Sequence, residues 1–291
     1  MIKAGVIGYP VSHSLSPRIH GFWLKKYGID GSYEAIEVAP EDLEEFIKDD
    51  LIRDGYAGVN VTLPHKERAF ELVDDVSHLA YAEDLKAVNT IIVENGQTMG
   101  KNTDVEGFAQ SIVSAQPEFD FEGGMAVVLG AGGAARAIVF ALANLKVPKI
   151  IILNRTKKKA KKIKKLLEKH YGDLLDQKVK VKDWDDRAEL LEGANLLVNA
   201  TSLGMVGQGE LDIDISKLPK SALVNDIVYN PLETRLLAEA RAQGNIVVDG
   251  LGMLLYQAIP GFKAWFCKGE HASVTPEVTE ELREYVLEGL K

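Results

Sequence analysis

Short apolar runs alternate with amphipathic runs along almost the whole chain. In the first third, the runs that predict β-strands are IKAGVIG, SYEAIEV and AGVNVT. The runs between and after them that predict amphipathic helices are SPRIHGFWLKKYG, EDLEEFIKDDL and KERAFELVDDV. Strands separated by helices are typical of α/β folds with mainly parallel sheets.

Local signals mark where several of these elements begin or turn. Ser16 is predicted as the N-cap of the first helix, with Pro17 at its first helical position. The next two helices are expected to follow Pro40 and Pro64. The segment AVNTIIVENGQTMGKNT predicts a β-hairpin whose turn is Asn95-Gly96.

The alternation starts again at Met125, after a predicted helix (VEGFAQSIVSA) and a turn. The later runs that predict strands are MAVVL, KIIIL, NLLVNAT, ALVNDIV and NIVVDG, and the chain becomes helical after Gly252. One core rarely grows to 291 residues, so the restart predicts two domains. We place the first domain at residues 1–107 and 255–291, with the C-terminal helices packing back on it, and the second at residues 108–254.

The segment VVLGAGGAARA has the pattern of a dinucleotide-binding turn. It follows a predicted strand, opens a predicted helix and matches G-x-G-x-x-[G/A] at Gly130, Gly132 and Ala135. Gly130 permits the tight turn, Gly132 lets the backbone approach a pyrophosphate, and Ala135 permits close helix packing. Such a turn also occurs where a strand and a helix merely pack tightly. With the surrounding pattern, it favours a Rossmann-type, doubly wound second domain.

The end of the next strand indicates which dinucleotide would bind. An NAD site usually places a carboxylate about 20 residues after the glycine turn, on the ribose 2′-hydroxyl. Here the chain has Asn154, Arg155 and Thr156, followed one helical turn later by Lys159. A guanidinium can hold a 2′-phosphate through two parallel hydrogen bonds, so the sequence favours NADP. Arg155 would look the same as a helix cap or a surface residue.

Charge and cysteine content exclude several classes of protein. The net charge of −9 does not favour a nucleic-acid partner, and KKKAKKIKK is better explained as an amphipathic helix with a solvated basic face. Cys267 is the only cysteine, so the sequence predicts no disulfide framework, no cysteine-based zinc site and a reducing compartment. His65 has no metal-ligand partner at suitable spacing, and we expect no metal. No run approaches the roughly 18 apolar residues of a membrane span. We therefore expect a cytoplasmic protein without a membrane partner.

Several motifs together resemble one family, the shikimate dehydrogenases. In family order they are SHSLSPRIH, NVTLPHK, AVNT, GKNTDVEGF, GAGGAARA, NRT, NATSLGM, DIVYNPLET and DGLGMLLYQA. They extend from residue 12 to residue 258. The resemblance implies NADPH-linked reduction of 3-dehydroshikimate to shikimate, a step of chorismate and aromatic amino-acid biosynthesis. It also implies an N-terminal α/β substrate domain and a Rossmann-type NADP domain.

The resemblance further implies roles for residues around the substrate. Lys66 and Asp104 are the implied catalytic pair, and Lys66 acts as a proton donor or as an electrostatic clamp. The other implied substrate contacts are Ser14, Ser16, Asn60, Thr62, Asn89, Tyr229 and Gln257. Four of these have a second explanation in the sequence alone. Ser16 could cap a helix, and Asn60, Thr62 and Asn89 could simply complete hydrogen bonds in turns or at strand ends.

On the cofactor side, the resemblance implies three groups of residues. The pyrophosphate turn is Gly130, Ala131, Gly132, Gly133 and Ala134. The 2′-phosphate pocket is Asn154, Arg155, Thr156 and Lys159. The wall beside the nicotinamide is Thr201, Ser202, Ile227, Gly250 and Met253.

Other functions compete with this one. A quinate or dual quinate/shikimate dehydrogenase would share the fold, although NAD-linked quinate enzymes tend to carry an acidic residue near the position of Arg155. A folate-linked methylene dehydrogenase shares a two-domain layout but not the SLSP and NTD motifs. A non-catalytic ligand-binding relative would not need both Lys66 and Asp104. The sequence leaves open whether the chain forms a homodimer.

Overall fold

The computed structural model describes residues 1–76, 81–172 and 178–290. The chain divides into two compact units, Met1–Thr103 with Leu255–Lys291 and Asp104–Leu254. The second unit begins with the helix at Asp104, whereas the sequence pattern placed the boundary at residue 108. No helix within the described ranges is long and apolar enough to cross a membrane.

The two units contain these strands and helices. The strands are β1 (Ile2–Gly8), β2 (Gly31–Glu37), β3 (Tyr56–Val61), β4 (Asp75–Val76), β5 (Thr90–Glu94), β6 (Gln97–Lys101), β7 (Met125–Leu129), β8 (Lys149–Leu153), β9 (Val179–Lys182), β10 (Ala194–Asn199), β11 (Leu223–Asp226) and β12 (Ile246–Val248). The helices are α1 (Ser16–Tyr27), α2 (Leu43–Glu45), α3 (Leu51–Arg53), α4 (Lys66–Leu72), α5 (Ala82–Leu85), α6 (Asp104–Ala115), α7 (Gly133–Asn144), α8 (Lys157–Tyr171), α9 (Arg235–Gln243), α10 (Leu251–Phe266) and α11 (Glu280–Leu287). A π-helical segment, Phe46–Asp50, joins α2 to α3.

The first unit is built on a six-stranded sheet in the order β2-β1-β3-β5-β6-β4. β1 pairs in parallel with β2 and β3, whereas β3, β5 and β6 pair antiparallel. β5 and β6 form the predicted hairpin, and Asn95 and Gly96 have φ angles of 53° and 75°. Positive φ at both central residues is the requirement of a type I′ turn, so the prediction is confirmed.

The C-terminal helices pack against this sheet. Gly58 of β3 has a φ of +151°, and a Cβ there would lie 2.3 Å from the indole nitrogen of Trp265 in α10. That indole N–H donates to the carbonyl of Ile91 at 3.1 Å. Near α11, the Trp23 indole donates to the carbonyl of Glu277 at 3.0 Å. The expectation that the C-terminal helices pack back on the first domain is therefore confirmed.

The second unit contains a six-stranded parallel sheet in the order β12-β11-β10-β7-β8-β9. This is the strand order of a doubly wound dinucleotide-binding fold. Strands β7 to β9 follow one another outward in one direction and β10 to β12 in the other, so the strand order reverses between β7 and β10. Ligands of such sheets bind at that point, beyond the carboxyl ends of the strands. Buried aliphatic residues of the central strands form its core, including Val127, Ile151, Leu197 and Val224.

Two predictions of local structure are wrong. Ser16 is the first residue of α1 and not its N-cap, which is Leu15. The Ser16 side chain lies beside the hydroxyl of Tyr33 in β2, a residue far away in sequence. The helix expected to follow Pro64 and extend through Val76 begins at Lys66 and ends at Leu72. Asp75 and Val76, which were expected in this helix, form β4 and pair with β6 instead.

Candidate active site

Side chains at the carboxyl edge of the first sheet form one hydrogen-bonded chain. The Tyr33 hydroxyl donates to Oδ1 of Asn60 at 2.6 Å. The Ser16 side chain lies beside the Tyr33 hydroxyl. The Ser16 backbone N–H in turn donates to Oγ of Ser14 at 3.3 Å.

The chain continues from Asn60 to the neighbouring strand. Both amide hydrogens of Asn60 are used, on the carbonyl of Asn89 at 3.2 Å and on Oγ1 of Thr90 at 3.1 Å. The Thr90 hydroxyl donates to Oδ1 of Asn89 at 3.0 Å. Asn60 therefore has only a lone pair of Oδ1 left for a ligand, and it can contact one only as an acceptor.

The chain ends on α10. The amide of Asn89 donates to Oγ1 of Thr103 at 2.9 Å, and the Thr103 hydroxyl donates to the carbonyl of Gln257 at 2.8 Å. The Thr103 backbone N–H donates to Oδ1 of Asn89 at 2.8 Å, which fixes the orientation of that amide. The structure thus brings together Ser16, Asn60, Asn89 and Gln257, all of them predicted site residues.

Three connecting residues were missed by sequence reasoning, namely Tyr33, Thr90 and Thr103. Thr90 and Thr103 lie inside the motifs AVNT and GKNTDVEGF, so their positions at element ends could have indicated them. Tyr33 has no such signal, because SYEAIEV reads as an ordinary alternating strand. Burial raises the pKa of the Tyr33 hydroxyl well above its usual value, so it remains a hydrogen-bond donor at neutral pH.

Lys66 is the first residue of α4, and its side chain is half-buried. Its carbonyl accepts from the N–H of Val88 at 2.8 Å, which ties the helix start to the segment that leads into Asn89. Buried His65 approaches the carbonyl of Val38 at 2.7 Å through Nε2. A carbonyl only accepts, so Nε2 carries the hydrogen and His65 fastens the start of the helix that bears Lys66.

Thr62, Asp104 and Tyr229 lie at or close to the starts or ends of strands and helices. Half-buried Thr62 follows β3 and donates its N–H to the carbonyl of Ile7 at 2.9 Å. Asp104 is buried at the start of α6, directly after Thr103 in the chain. Tyr229 is half-buried in the loop after β11, and burial raises the pKa of its hydroxyl.

The glycine turn between β7 and α7 has the geometry of a phosphate cradle. Gly130 has a φ of +111°, and a Cβ there would lie 2.7 Å from the carbonyl oxygen of Ala200. Gly132 is the N-cap of α7 and provides no side-chain cap. A Cβ at Gly132 or Gly133 would meet nothing within 4 Å, so the turn faces open space. Uncapped N–H groups at a helix start suit an anionic pyrophosphate.

Around that turn, Ala135 is fully buried in α7, as the close helix packing of the motif requires. The other two predicted residues of the turn differ in exposure, since Ala131 is buried and Ala134 is half-buried.

The residues predicted to recognise a 2′-phosphate lie between β8 and α8. Arg155, Thr156 and Lys159 are exposed, and Thr156 is the N-cap of α8, so Arg155 is not a helix cap. The Asn154 amide donates to the carbonyl of Thr156 at 3.0 Å and shapes the turn. Within the described ranges, no acidic group forms an ion pair with Arg155. Its guanidinium therefore remains available for a phosphate.

The predicted nicotinamide wall consists of two turns that follow β10 and β11 and of the start of α10. Thr201 donates its hydroxyl to Oδ1 of Asn199 at 2.7 Å and accepts from the N–H of Leu203, so this hydroxyl shapes its own turn. A Cβ at Gly250 would lie 2.2 Å from the carbonyl oxygen of Ile227, so only glycine fits there. The remaining two residues are Ser202, which is exposed, and Met253, which is half-buried.

Two family models match this chain. Residues 6–91 match the shikimate dehydrogenase substrate binding domain, and residues 110–227 match the shikimate/quinate 5-dehydrogenase model. The chain belongs to the shikimate dehydrogenase family. Among relatives of the family, the protein named shikimate dehydrogenase (NADP(+)) of Paramagnetospirillum magneticum is 51% identical over 98% of this chain and 97% of its own length.

Solved structures of the shikimate dehydrogenase family share the whole fold. The shikimate 5-dehydrogenase of Thermus thermophilus, in complex with NADP(H) and shikimate, superposes with a TM-score of 0.83 at 34% identity, covering 99% of this chain and 100% of its own. The quinate dehydrogenase of Corynebacterium glutamicum, in complex with NAD, gives a TM-score of 0.88 at 30% identity, covering 99% of each chain. The predicted family and fold class are confirmed.

Proposed function

We propose that this chain is an NADP-dependent shikimate dehydrogenase, which reversibly reduces 3-dehydroshikimate to shikimate. The observation that carries the proposal is the 51% identity over 98% of the chain to a relative named for that activity. The site supports it, since the amides of Asn60, Asn89 and Gln257 converge in one network in the first unit. This reaction serves chorismate and aromatic amino-acid biosynthesis.

The reaction transfers a hydride to the carbonyl carbon of the substrate and a proton to its oxygen. When bound, NADPH supplies the hydride and leaves as NADP⁺. The oxygen gains negative charge as the hydride arrives, and an ammonium stabilises that charge and can give up a proton. We assign this role to Lys66, with Asp104 as the partner that orients it. Lys66 supports this role by its position at the start of α4, which the hydrogen bond from His65 to the carbonyl of Val38 holds in place.

The hydrogen-bond chain suggests how the substrate is held. Ser14 and Ser16 are assigned to the substrate carboxylate, to which both hydroxyls can donate. Asn60 accepts from a ring hydroxyl through the free lone pair of Oδ1. The remaining assigned contacts are Thr62, Asn89, Tyr229 and Gln257.

The residues of the second unit fit a bound NADP. The open glycine turn at the N-terminus of α7 would hold the pyrophosphate, at Gly130–Ala134. Arg155 and Lys159 would hold the 2′-phosphate, with Asn154 and Thr156 shaping the turn. Thr201, Ser202, Ile227, Gly250 and Met253 would form the wall beside the nicotinamide.

Absorbance at 340 nm during oxidation tests the proposal with two substrates and two cofactors. We expect shikimate with NADP⁺ to be turned over at least about tenfold more efficiently than the other three combinations of shikimate or quinate with NADP⁺ or NAD⁺. Absence of turnover with shikimate and NADP⁺, at a concentration that saturates a control enzyme, would overturn the proposal.

Quinate dehydrogenation is the second candidate, because the NAD-bound quinate dehydrogenase superposes on this chain with a TM-score of 0.88. Residues 154–156 of this chain, Asn-Arg-Thr, contain no carboxylate for a ribose 2′-hydroxyl, which disfavours its NAD-linked form. A quinate preference in the same assay would replace the first proposal.

We further infer a reducing compartment such as the cytoplasm, because Cys267 is the only cysteine of the chain. A homodimer is a proposal that light scattering of the purified chain would test, with a molar mass of twice 31.9 kDa as the supporting outcome.

A further inference from the structure

Asp226 is a buried carboxylate to which neither the sequence motifs nor the proposed mechanism assigns a role. It is the last residue of β11, at the carboxyl edge of the second sheet, and it has no solvent exposure. Within the described ranges, no Lys, Arg or His forms an ion pair with it. A buried carboxylate without a cation is unfavourable unless hydrogen bonds compensate for lost hydration.

Three donors from three chain segments point at Asp226. The Asn199 amide at the end of β10 donates to Oδ1 at 3.0 Å, and the N–H of Val228 donates to the same oxygen at 3.0 Å. The Thr234 hydroxyl, at the N-cap of α9, donates to Oδ2 at 2.8 Å. Asn199 and Asp226 are direct partners in the parallel pairing of β10 and β11, so their side chains leave the sheet on the same face.

Asn199, one of the partners of Asp226, also hydrogen-bonds to the two turns that follow β10 and β11. Asn199 also donates to the carbonyl of Leu203 at 3.1 Å and accepts from the N–H and hydroxyl of Thr201. Its own carbonyl accepts from the N–H of Ile227 at 3.1 Å. The turn at residues 199–203 is thereby fixed to the turn at residues 226–228, with the carboxylate of Asp226 as the shared acceptor.

These two turns hold Thr201, Ser202 and Ile227, which we assign to the nicotinamide side of the cofactor site. We propose that Asp226 is a positioning residue for hydride transfer, which sets the place of the nicotinamide wall through the turns after β10 and β11. This inference rests on the proposed function, because it is the assigned cofactor that needs the wall. Asp226 does not touch the adenosine half of the site, so its effect is confined to the nicotinamide half.

The proposal predicts that loss of Asp226 impairs catalysis at the nicotinamide but not binding of the adenosine half of NADPH. Asp226→Asn keeps the volume but replaces one acceptor oxygen with a donor amide. At the Oδ1 position that amide opposes the donors of Asn199 and Val228, and at the Oδ2 position it reverses the bond to Thr234, so the three-donor arrangement is lost in either orientation. Because small displacements of a reacting group lower rates strongly, we expect the kcat of Asp226→Asn to fall by roughly tenfold or more. With C4-deuterated NADPH, its primary isotope effect should rise. Its affinity for adenosine 2′,5′-bisphosphate, which lacks the nicotinamide, should stay within about twofold of wild type.

Two milder variants guard against loss of the fold. Thr234→Val removes one donor to Asp226 and should shift kcat and the isotope effect in the same direction, whereas Thr234→Ser keeps the hydroxyl and should restore both. Asn245→Ala is the matched structural control. Asn245 directly precedes β12, and its buried amide donates to the carbonyls of Pro219 and Ala222. The Asn245→Ala variant should therefore lower thermal stability without changing the isotope effect.

The outcomes separate this inference from the proposed function. Wild-type turnover of shikimate with NADP⁺ tests the function alone. The fluorescence anisotropy of bound NADPH reports the mobility of the nicotinamide whether or not shikimate reacts, and we expect it to fall in Asp226→Asn. Unchanged anisotropy and isotope effect in both Asp226→Asn and Thr234→Val would overturn the positioning role. Equal weakening of adenosine 2′,5′-bisphosphate and NADPH binding would also overturn it, since the effect would then be general.

Discussion

At the scale of single residues, the carboxyl edge of the first sheet shows how polar side chains are held ready inside a core. The hydroxyls of Thr90 and Thr103 each accept from one neighbour and donate to the next, and the Tyr33 hydroxyl donates to Asn60. Asn60 and Asn89 therefore have fixed amide orientations before any ligand arrives. Preorganised polar groups are the usual basis of selective recognition of hydroxylated substrates.

Lys66 carries the first prediction at this scale. Lys66→Ala removes the ammonium assigned to the substrate oxygen but no residue of the glycine turn. We expect kcat to fall by about 10²-fold or more, the range for general acid–base groups, with NADPH binding nearly unchanged. Stopped-flow rates at saturating substrate and fluorescence titration with NADPH would measure both. Near-wild-type turnover would contradict the assignment.

Arg155 carries the second prediction. Its exposed guanidinium precedes α8 and has no acidic partner within the described ranges. Arg155→Ala should raise the KM for NADPH far more than the KM for NADH, because only NADPH carries the 2′-phosphate. Arg187→Ala serves as a matched control, since Arg187 of the same unit bonds to Asp212. Equal effects of Arg155→Ala on the two cofactors would remove Arg155 from the 2′-phosphate site.

His20 gives a prediction about pH. It is fully buried, stacked on Tyr33 at 3.9 Å, and burial lowers its pKa to about 3. Between pH 6.5 and about pH 3, His20 is protonated in the unfolded chain but neutral in the folded chain, so stability falls as the pH falls. Because His20 stays neutral in the folded chain throughout this range, the stability lost through this group is about 2 kcal/mol between pH 7 and pH 5.

Urea unfolding of wild type and His20→Phe at pH 7 and pH 5 would check this. The variant should lose that part of the pH dependence, and the adjacent rings of Trp23 and Phe262 suit an aromatic replacement. His13→Gln, which removes an exposed imidazole, is the control and should keep the wild-type dependence. An identical loss of stability in wild type and His20→Phe would contradict the prediction.

At the scale of elements, two glycines of the glycine turn serve different purposes, one for folding and one for cofactor binding. Gly130 is required by its φ of +111° and by the close carbonyl of Ala200, whereas Gly132 has an extended φ of −87° and open space around it. Gly132→Ala should therefore leave the thermal midpoint within a few degrees and still weaken NADPH binding, because the new methyl group enters the phosphate cradle.

Calorimetry and NADPH titration of both variants test this contrast. Gly130→Ala should destabilise the second unit itself, since the added Cβ meets backbone and the conformation is strained. Unchanged NADPH affinity in Gly132→Ala would show that the pyrophosphate binds elsewhere.

The elements also show how far the sequence could predict the structure. The hairpin at Asn95-Gly96 and the glycine turn were predictable, because each depends on the conformational preferences of adjacent residues. The end of α4 and the role of Ser16 were not, because β4 pairs with β6 and the Ser16 hydroxyl meets Tyr33, both far away in sequence. For the same reason the bridging roles of Thr90 and Thr103 needed the structure.

At the scale of the whole molecule, charge is distributed unevenly. The chain has a net charge of −9, yet α8 contains eight lysines and one glutamate. Five of its six exposed lysines follow one helical stripe, opposite the buried side chains of Ala160, Ile163 and Leu167. The stripe consists of Lys158, Lys161, Lys162, Lys165 and Lys169. Because α8 begins directly after Arg155, this positive surface adjoins the proposed 2′-phosphate site of a polyanionic cofactor.

Such a surface should accelerate encounter with NADPH rather than hold it once bound. We expect the double variant Lys161→Gln, Lys165→Gln to slow NADPH association by about threefold at low ionic strength, with the dissociation rate unchanged. The difference from wild type should shrink as added salt shortens the Debye length to a few ångströms. Stopped-flow fluorescence over a salt series measures both rates. Lys220→Gln removes an exposed charge outside α8 and should leave the association rate unchanged. Equal slowing by this control would show that net charge, and not the lysine stripe, sets the association rate.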